Sequence, residues 1–196
     1  VEIALRDLTG FEGRCDAILF TRSEAVPPHG GPELASFRRQ VRGLSENPDE
    51  AGEFDLVVTG GGIAGTCAAL SAARLGVKVA FIQDRPVLGG NNSSEVRVWL
   101  NGARNKDPFP RVGDIVAELE QRRTAHYGAE NSAEIYEDEK KLALVKAEQG
   151  ISVFLGWRAN GVEKDGDRIR AVVAEETAPA RRLRFRGRWF ADTTGD

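Results

Sequence analysis

The chain has 196 residues, 41% of them hydrophobic and 29% charged, with 27 basic against 30 acidic residues and a net charge of −3. That is enough for one globular domain with an appendage, and the near balance of charge argues against a dedicated nucleic-acid or membrane-surface binder. Two cysteines (Cys15, Cys67) and two histidines (His29, His126) are too few for a disulfide framework or a zinc site, and no apolar run approaches the roughly 20 residues that span a bilayer. A soluble protein without a metal is expected.

In chain order, residues 1–20 alternate apolar and polar around Leu8-Thr9-Gly10-Phe11-Glu12-Gly13 and read as two strands. Residues 23–52, rich in Pro, Gly, Ser and charge, read as a linker with one short helix over 32–42. Residues 54–59 (FDLVVT) form a short β-branched run, the mark of a strand buried on both faces. A glycine loop follows at 60–65. The next segment, 63–75, reads as a helix whose alanines at 64, 68, 69, 72 and 73 allow close packing on a sheet, and Gly76 ends it. Residues 77–82 (VKVAFI) are a second strand, parallel to the first because a helix separates them. Helices are expected over 112–126 and 134–149, and a third buried strand over 151–155. Beyond it, strands over 160–164 and 168–175 flank the hairpin signal Asp165-Gly166. Arg181 to Arg186 alternates charge with Leu183 and Phe185, and Trp189-Phe190-Ala191 is a last short strand. The fold class is α/β: a Rossmann-like parallel sheet with an appended β-meander.

Gly60-Gly61-Gly62-Ile63-Ala64-Gly65 fits G-x-G-x-x-G, and here it follows a buried strand and opens a helix, the context that gives the pattern meaning. Gly60 allows the tight turn, Gly62 lets the backbone approach a pyrophosphate, and Gly65 lets helix and strand pack. The N–H groups around Ile63 and Ala64 then face the phosphates at the helix start. An acidic residue is expected at the end of the second strand, to grip a ribose diol. Gln83 stands there and Asp84 follows. Either Gln83 accepts from the ribose without charge assistance, or Asp84 does so after a small shift. Arg85 meets phosphate or solvent.

The segment DLVVTGGGIAGTCAALSAARLGVKVAFIQDRPVLGGNNSSEVRV resembles the amino-terminal part of the FAD-dependent oxidoreductases of the glutathione-reductase-like class. The ending Phe190-Ala191-Asp192-Thr193-Thr194-Gly195-Asp196 is similar to that family's D-A-T-G-D motif, with Thr193 where Ala is more usual. The resemblance covers roughly 54–196. It implies FAD as cofactor, with Gly89, Gly90 and Asn91 passing the pyrophosphate and the inner flavin, and Thr194, Gly195 and Asp196 closing the site. It also implies that the family continues past this point, so that 53–196 is an incomplete FAD domain with little turnover alone. Glu95 and Arg97, taken as neighbours on an extended segment, are weak candidates for positioning substrate. Residues 1–22 resemble the last strands of a β-sandwich carbohydrate-binding module, which suggests a small-molecule substrate of the sugar class. The competing readings are an accessory region of a polysaccharide-degrading protein and an NAD-dependent dehydrogenase.

Other features have structural readings. The basic run Arg181 to Arg188 reads as a solvated strand face, Glu134 to Lys141 as a charged helix surface, and His126 as a helix cap. Cys67 reads as a packing residue, and Trp99 and Trp157 as packing residues that could also line a cofactor's edge.

Overall fold

The computed structural model describes residues 4, 6, 8, 18–102, 104–122, 128, 130–177 and 181–195. The two strands expected over 1–20 fall almost wholly outside these, as do Cys15 and His126. The chain divides into two compact units, Val1–Gln40 and Val41–Asp196. Helix α1 (Gly31–Val41) matches the short helix expected near 32–42 and buries none of its residues.

The second unit is built on one six-stranded sheet. Its strands are β1 (Asp49–Thr59), β2 (Val79–Gln83), β3 (Ile151–Leu155), β4 (Trp157–Asp165), β5 (Arg168–Glu176) and β6 (Arg182–Asp192), in the order β3-β2-β1-β6-β5-β4. The pairs β3/β2, β2/β1 and β1/β6 are parallel, and β6/β5 and β5/β4 antiparallel. All five residues of β2 are buried. Its side chains alternate between two cores, as the pleat requires. Val79 and Phe81 join Val58 and the helices α2 (Ile63–Arg74), α3 (Asp114–Leu119) and α4 (Asp138–Ala147), while Ala80 and Ile82 join Val57, Trp157, Val172 and Phe185. Cys67 packs at the edge of the helical core, and burial pushes its thiol up from the ordinary value. The sheet is therefore covered on both faces, helices on one and the antiparallel strands on the other.

Gly156 alone joins β3 to β4, although these are opposite edges of the sheet. Residues two apart can be separated by no more than about 7 Å, so the sheet must roll until its edges meet at that corner. Gly156 takes φ 75°, and its carbonyl accepts from the Thr177 amide at 2.7 Å.

Several expectations are corrected. β1 begins at Asp49, inside the stretch read as linker: its polar first half pairs with β6, and Glu50 binds Arg184 at 2.8 Å and Arg186 at 3.0 Å. Arg182 and Arg184 are consequently half-buried rather than part of a solvated face, while Arg181 and Arg188 are exposed. Arg184 also reaches Glu163 at 2.8 Å, and Arg182 donates to the carbonyls of Ser45 and Glu46 at 2.8 Å each, forming a ladder of ion pairs and hydrogen bonds across the strands. Second, β6 runs unbroken where two strands were expected. Its Gly187 is needed at a crowded point, since a Cβ there would lie 2.8 Å from Val57. Third, among the described residues the helix expected over 112–126 is α3, which stops where Glu120 turns extended and Gln121 goes into the interior. Fourth, the helix expected over 134–149 is split into a 3₁₀ turn (Ala133–Tyr136) and α4 by Glu137, whose φ is 46°. Its carboxylate accepts from the Arg122 amide at 2.8 Å and from Arg122 Nε at 2.7 Å.

Phe185 is fully buried, edge-on to Phe154 at 4.7 Å between centroids. Phe185→Ala should lower stability by about 3–5 kcal/mol, read from urea unfolding. The ion pairs give a pH test. Arginine partners hold the carboxyls of Glu50, Glu118, Glu137 and Glu176 below the usual carboxylate value of 4.5. A folded pKa below the unfolded one contributes stability above the unfolded value, and that contribution is lost as pH falls through the folded one. Stability should therefore hold from about pH 7 to about pH 5 and fall as the pH is lowered through and below the usual value, and Glu50→Gln should narrow the drop.

Candidate dinucleotide site

Three chain segments converge at the carboxyl ends of β1, β2 and β6. After Thr59, Gly60 turns with φ 96° and its amide donates to the Ile82 carbonyl at 2.9 Å. Gly62 caps α2 with φ −64° and ψ 178°, offering no side chain to the helix. The first N–H groups of α2, those of Ile63, Ala64 and Gly65, thus have no intrahelical acceptor.

The glycines do three different jobs. A Cβ at Gly60 would sit 2.5 Å from the Thr193 backbone, and one at Gly65 would overlap the Gly60 carbonyl oxygen and the Thr193 hydroxyl. A Cβ at Gly62 would meet nothing within 4 Å, because that position faces open space. This division is the one expected of the motif.

The second segment follows β2. Gly89 and Gly90 have φ 111° and 59°, the Gly89 amide donates to the Gly61 carbonyl at 2.7 Å, and the Ser93 hydroxyl donates to the Gly90 carbonyl at 2.7 Å. The third ends β6. The Thr193 amide donates to the Thr59 carbonyl at 2.8 Å, and its hydroxyl lies 2.7 Å from the carbonyls of both Thr59 and Gly60. Thr194 donates through its hydroxyl and amide to Asp192, at 2.7 and 3.1 Å, which lowers the Asp192 carboxyl below its ordinary value.

Between the segments lies a cavity of about 480 Å³. Among the expected site residues, Gly60, Gly62, Gln83, Asp84, Arg85, Gly90, Asn91, Thr194 and Gly195 line it. Trp157, Arg158 and Ala159 of β4 close another side. Ile63, Ala64, Gly65 and Gly89 are not among the lining residues, and Asp196 lies outside the described residues. Gln83 is buried, and its Oε1 accepts from the Gly61 amide at 2.7 Å. Trp99 is not among the lining residues. Arg85 is paired with Glu95 at 3.0 Å.

Glu95 and Arg97 do not share an extended face. The chain turns at 93–97, the Arg97 amide donates to the Ser93 carbonyl at 2.8 Å, and Arg97 has φ 63°. Glu95 goes to Arg85, whereas Arg97 donates to the carbonyls of Ser94 and Asn131.

A polar scaffold unseen in the sequence reading holds the stretch after Gly90. Asn92 donates to Gln121 at 2.9 Å, the Ser94 amide to both oxygens of Asp138 at 3.2 Å, and Asn131 Nδ2 to the Arg97 carbonyl at 3.0 Å. Lys141 is fully buried behind Gly89, donates to the Tyr136 carbonyl, and lies 3.7 Å from Asp138. Burial lowers its ammonium from the ordinary value, and Asp138 opposes that. It is no part of a charged helix surface. The available signal was its spacing: four residues before the buried Val145, it shares that face of α4.

A model of the family described as FAD dependent oxidoreductase matches residues 55–196. The chain belongs to that family. It is 41% identical over 111 residues to a dihydrolipoamide dehydrogenase of Chaetomium thermophilum, covering 50% of this chain and 21% of that protein. It is 31% identical over 132 residues to an aerobic glycerol-3-phosphate dehydrogenase of Staphylococcus saprophyticus, covering 64% of this chain and 23% of that one. The chain thus spans about a fifth to a quarter of these relatives. The solved structure of Thermovibrio ammonificans THI4 aligns with a TM-score of 0.49 at 18% identity, over 83% of this chain and 62% of that one.

The residues present fit the family's FAD. The side-chain-free face of Gly62 and the unbonded amides of the α2 start suit a diphosphate, and the cavity extends along the turns after β2 and β6. Two glycine substitutions separate folding from binding. Gly65→Ala should destabilise the fold by about 1–3 kcal/mol, measured by thermal unfolding. Gly62→Ala, which meets open space and costs only the poorer helix cap, should lower the melting temperature less than Gly65→Ala yet weaken FAD binding in a fluorescence titration.

Proposed function

We propose that this chain carries the cofactor-holding part of an FAD-dependent oxidoreductase acting on a small-molecule substrate. The carrying observation is the convergence of the turns after β1, β2 and β6 on one cavity at the carboxyl ends of the strands. That is where open α/β sheets hold dinucleotides. In this reading the amides of Gly62, Ile63 and Ala64 meet the pyrophosphate, with Gly60 and Gly65 letting strand and helix close behind it. Asp84 or Gln83 meets the ribose. Gly89 and Gly90 shape the passage of the inner flavin beside Asn91, and Thr194, Gly195 and Asp196 close the site. Arg85, neutralised by Glu95, belongs to the rim. The flavin, when bound, supplies the redox chemistry. The chain's own residues bind it, orient it and exclude water, Trp157 and Ala159 lining the cavity together with the glycine turns.

The NAD reading is disfavoured by the path after β3. A plain NAD domain continues with strand-helix units, whereas here the chain enters an antiparallel hairpin that covers the sheet's second face. Nothing in the site favours a sugar-like substrate, and the β-sandwich resemblance rests on residues outside those described. Among the described residues no helix is long and apolar enough to cross a membrane.

Purified protein, titrated with FAD and in parallel with NAD, tests the reading. Expected are quenching or enhancement of flavin fluorescence, a yellow protein after desalting, and bleaching by dithionite, with no comparable response to NAD. Saturable binding of NAD with none of FAD would sink it.

A further inference from the structure

We infer that residue 83, the strand-end position expected to grip the ribose, serves in this chain as a neutral tether of both glycine turns, and that Asp84 takes the diol. The inference rests on the FAD reading above. A side-chain amide carries an acceptor at one end and donors at the other. Gln83 uses both: Oε1 accepts from the Gly61 amide at 2.7 Å, and Nε2 donates to the Val87 carbonyl at 3.1 Å. The side chain is only 5% exposed. The loop lies directly on it, since a Cβ at Gly61 would come within 2.8 Å of Gln83 Cδ.

These bonds form a closed set. Gln83 holds Gly61 in the first turn and Val87 just ahead of the second, and the Gly61 carbonyl in turn accepts from the Gly89 amide at 2.7 Å. A carboxylate at 83 could repeat only the first contact. It has no proton for the Val87 carbonyl and would set two oxygens against each other there. The amide is therefore suited to this geometry in a way that glutamate is not.

Asp84 comes next in the chain, is exposed, and lines the same cavity. It has no side-chain hydrogen bond among the described residues, and its carboxylate can accept from ribose hydroxyls with charge assistance. The neighbouring polar side chain, Arg85, is already engaged by Glu95.

The test has one arm without cofactor and one with it. In cofactor-free protein, amide exchange of Gly61 by NMR should speed up about fivefold or more in Gln83→Met, the loss of one hydrogen bond, and stay at the wild-type rate in Asp84→Asn. In binding, FAD should exceed its 2′-deoxyadenosine analogue by about tenfold in wild type. Asp84→Ala should erase that preference. Gln83→Met should weaken both ligands while keeping their ratio, and Gln83→Glu should bind FAD no more tightly than wild type. Unchanged Gly61 exchange in Gln83→Met overturns the tether. Tighter FAD binding by Gln83→Glu, or a preference that survives Asp84→Ala, returns the diol to position 83. Wild type binding neither flavin would refute the FAD reading and the Asp84 assignment together, leaving the exchange arm to judge the tether.

Discussion

The approach of α2 to the ends of β1 and β6 is the constraint on which the rest of the structure depends. At Gly65 there is no room for even one carbon beside the Gly60 carbonyl. Because the helix comes that close, its unbonded amides stand at the strand ends rather than a side chain's width away. Thr193 completes the junction. Its hydroxyl has one proton and two carbonyl oxygens at 2.7 Å, so it shares that proton between the end of β1 and the first glycine. Such a bond contributes about 1 kcal/mol. Its larger consequence is positional, because it fixes the last segment of the site against the first.

The rolled sheet serves the same end. A parallel sheet needs cover on both faces, and here the helices cover one face and the sheet's own antiparallel strands the other. One residue, Gly156, separates β3 from β4, so the corner that covers the core also brings Trp157 to the cavity wall. Trp157 is at once a core residue and a lining residue. Packing and binding are not separable at that position, which is why neither role alone accounts for it.

The centre of the fold was legible in the sequence because its determinants are local. The run FDLVVT, the spacing of Gly60, Gly62 and Gly65, and the Asp165-Gly166 hairpin each carry their structural meaning within a few residues. What escaped the reading depends on partners distant in sequence. Residues 49–52 look like linker because their stabilising contacts, from Arg184 and Arg186, lie more than 130 residues away. The single helix expected over 134–149 fails at Glu137, whose left-handed backbone accompanies its bonds to Arg122. The pairing of Glu95 with Arg97 assumed an extended chain, and no local signal announced the turn at 93–97. Gln83 was seen as a departure from the expected acid, but the compensating bonds to Gly61 and Val87 needed coordinates.

The stretch after Gly90 illustrates how a polar site is held without apolar packing. It crosses the mouth of the sheet, where side chains that filled a core would also fill the cavity. It is instead pinned from outside, by Gln121, Asn131 and Asp138. Such pins require buried polar groups, and burying them costs free energy unless each finds a partner. Most do: the Tyr136 hydroxyl donates to Asn131 at 2.7 Å, and the Lys141 ammonium meets the Tyr136 carbonyl with Asp138 nearby. Asn92 Oδ1 and Gln121 Nε2, by contrast, have no hydrogen-bond partner among the described residues. The buried ammonium is the most consequential member, since removing a partner from a buried charge leaves it uncompensated. Asp138 therefore acts twice. It offsets the charge of Lys141 and accepts the Ser94 amide, so the position of the turn beside the cavity and the tolerance of a cation in the core depend on the same carboxylate.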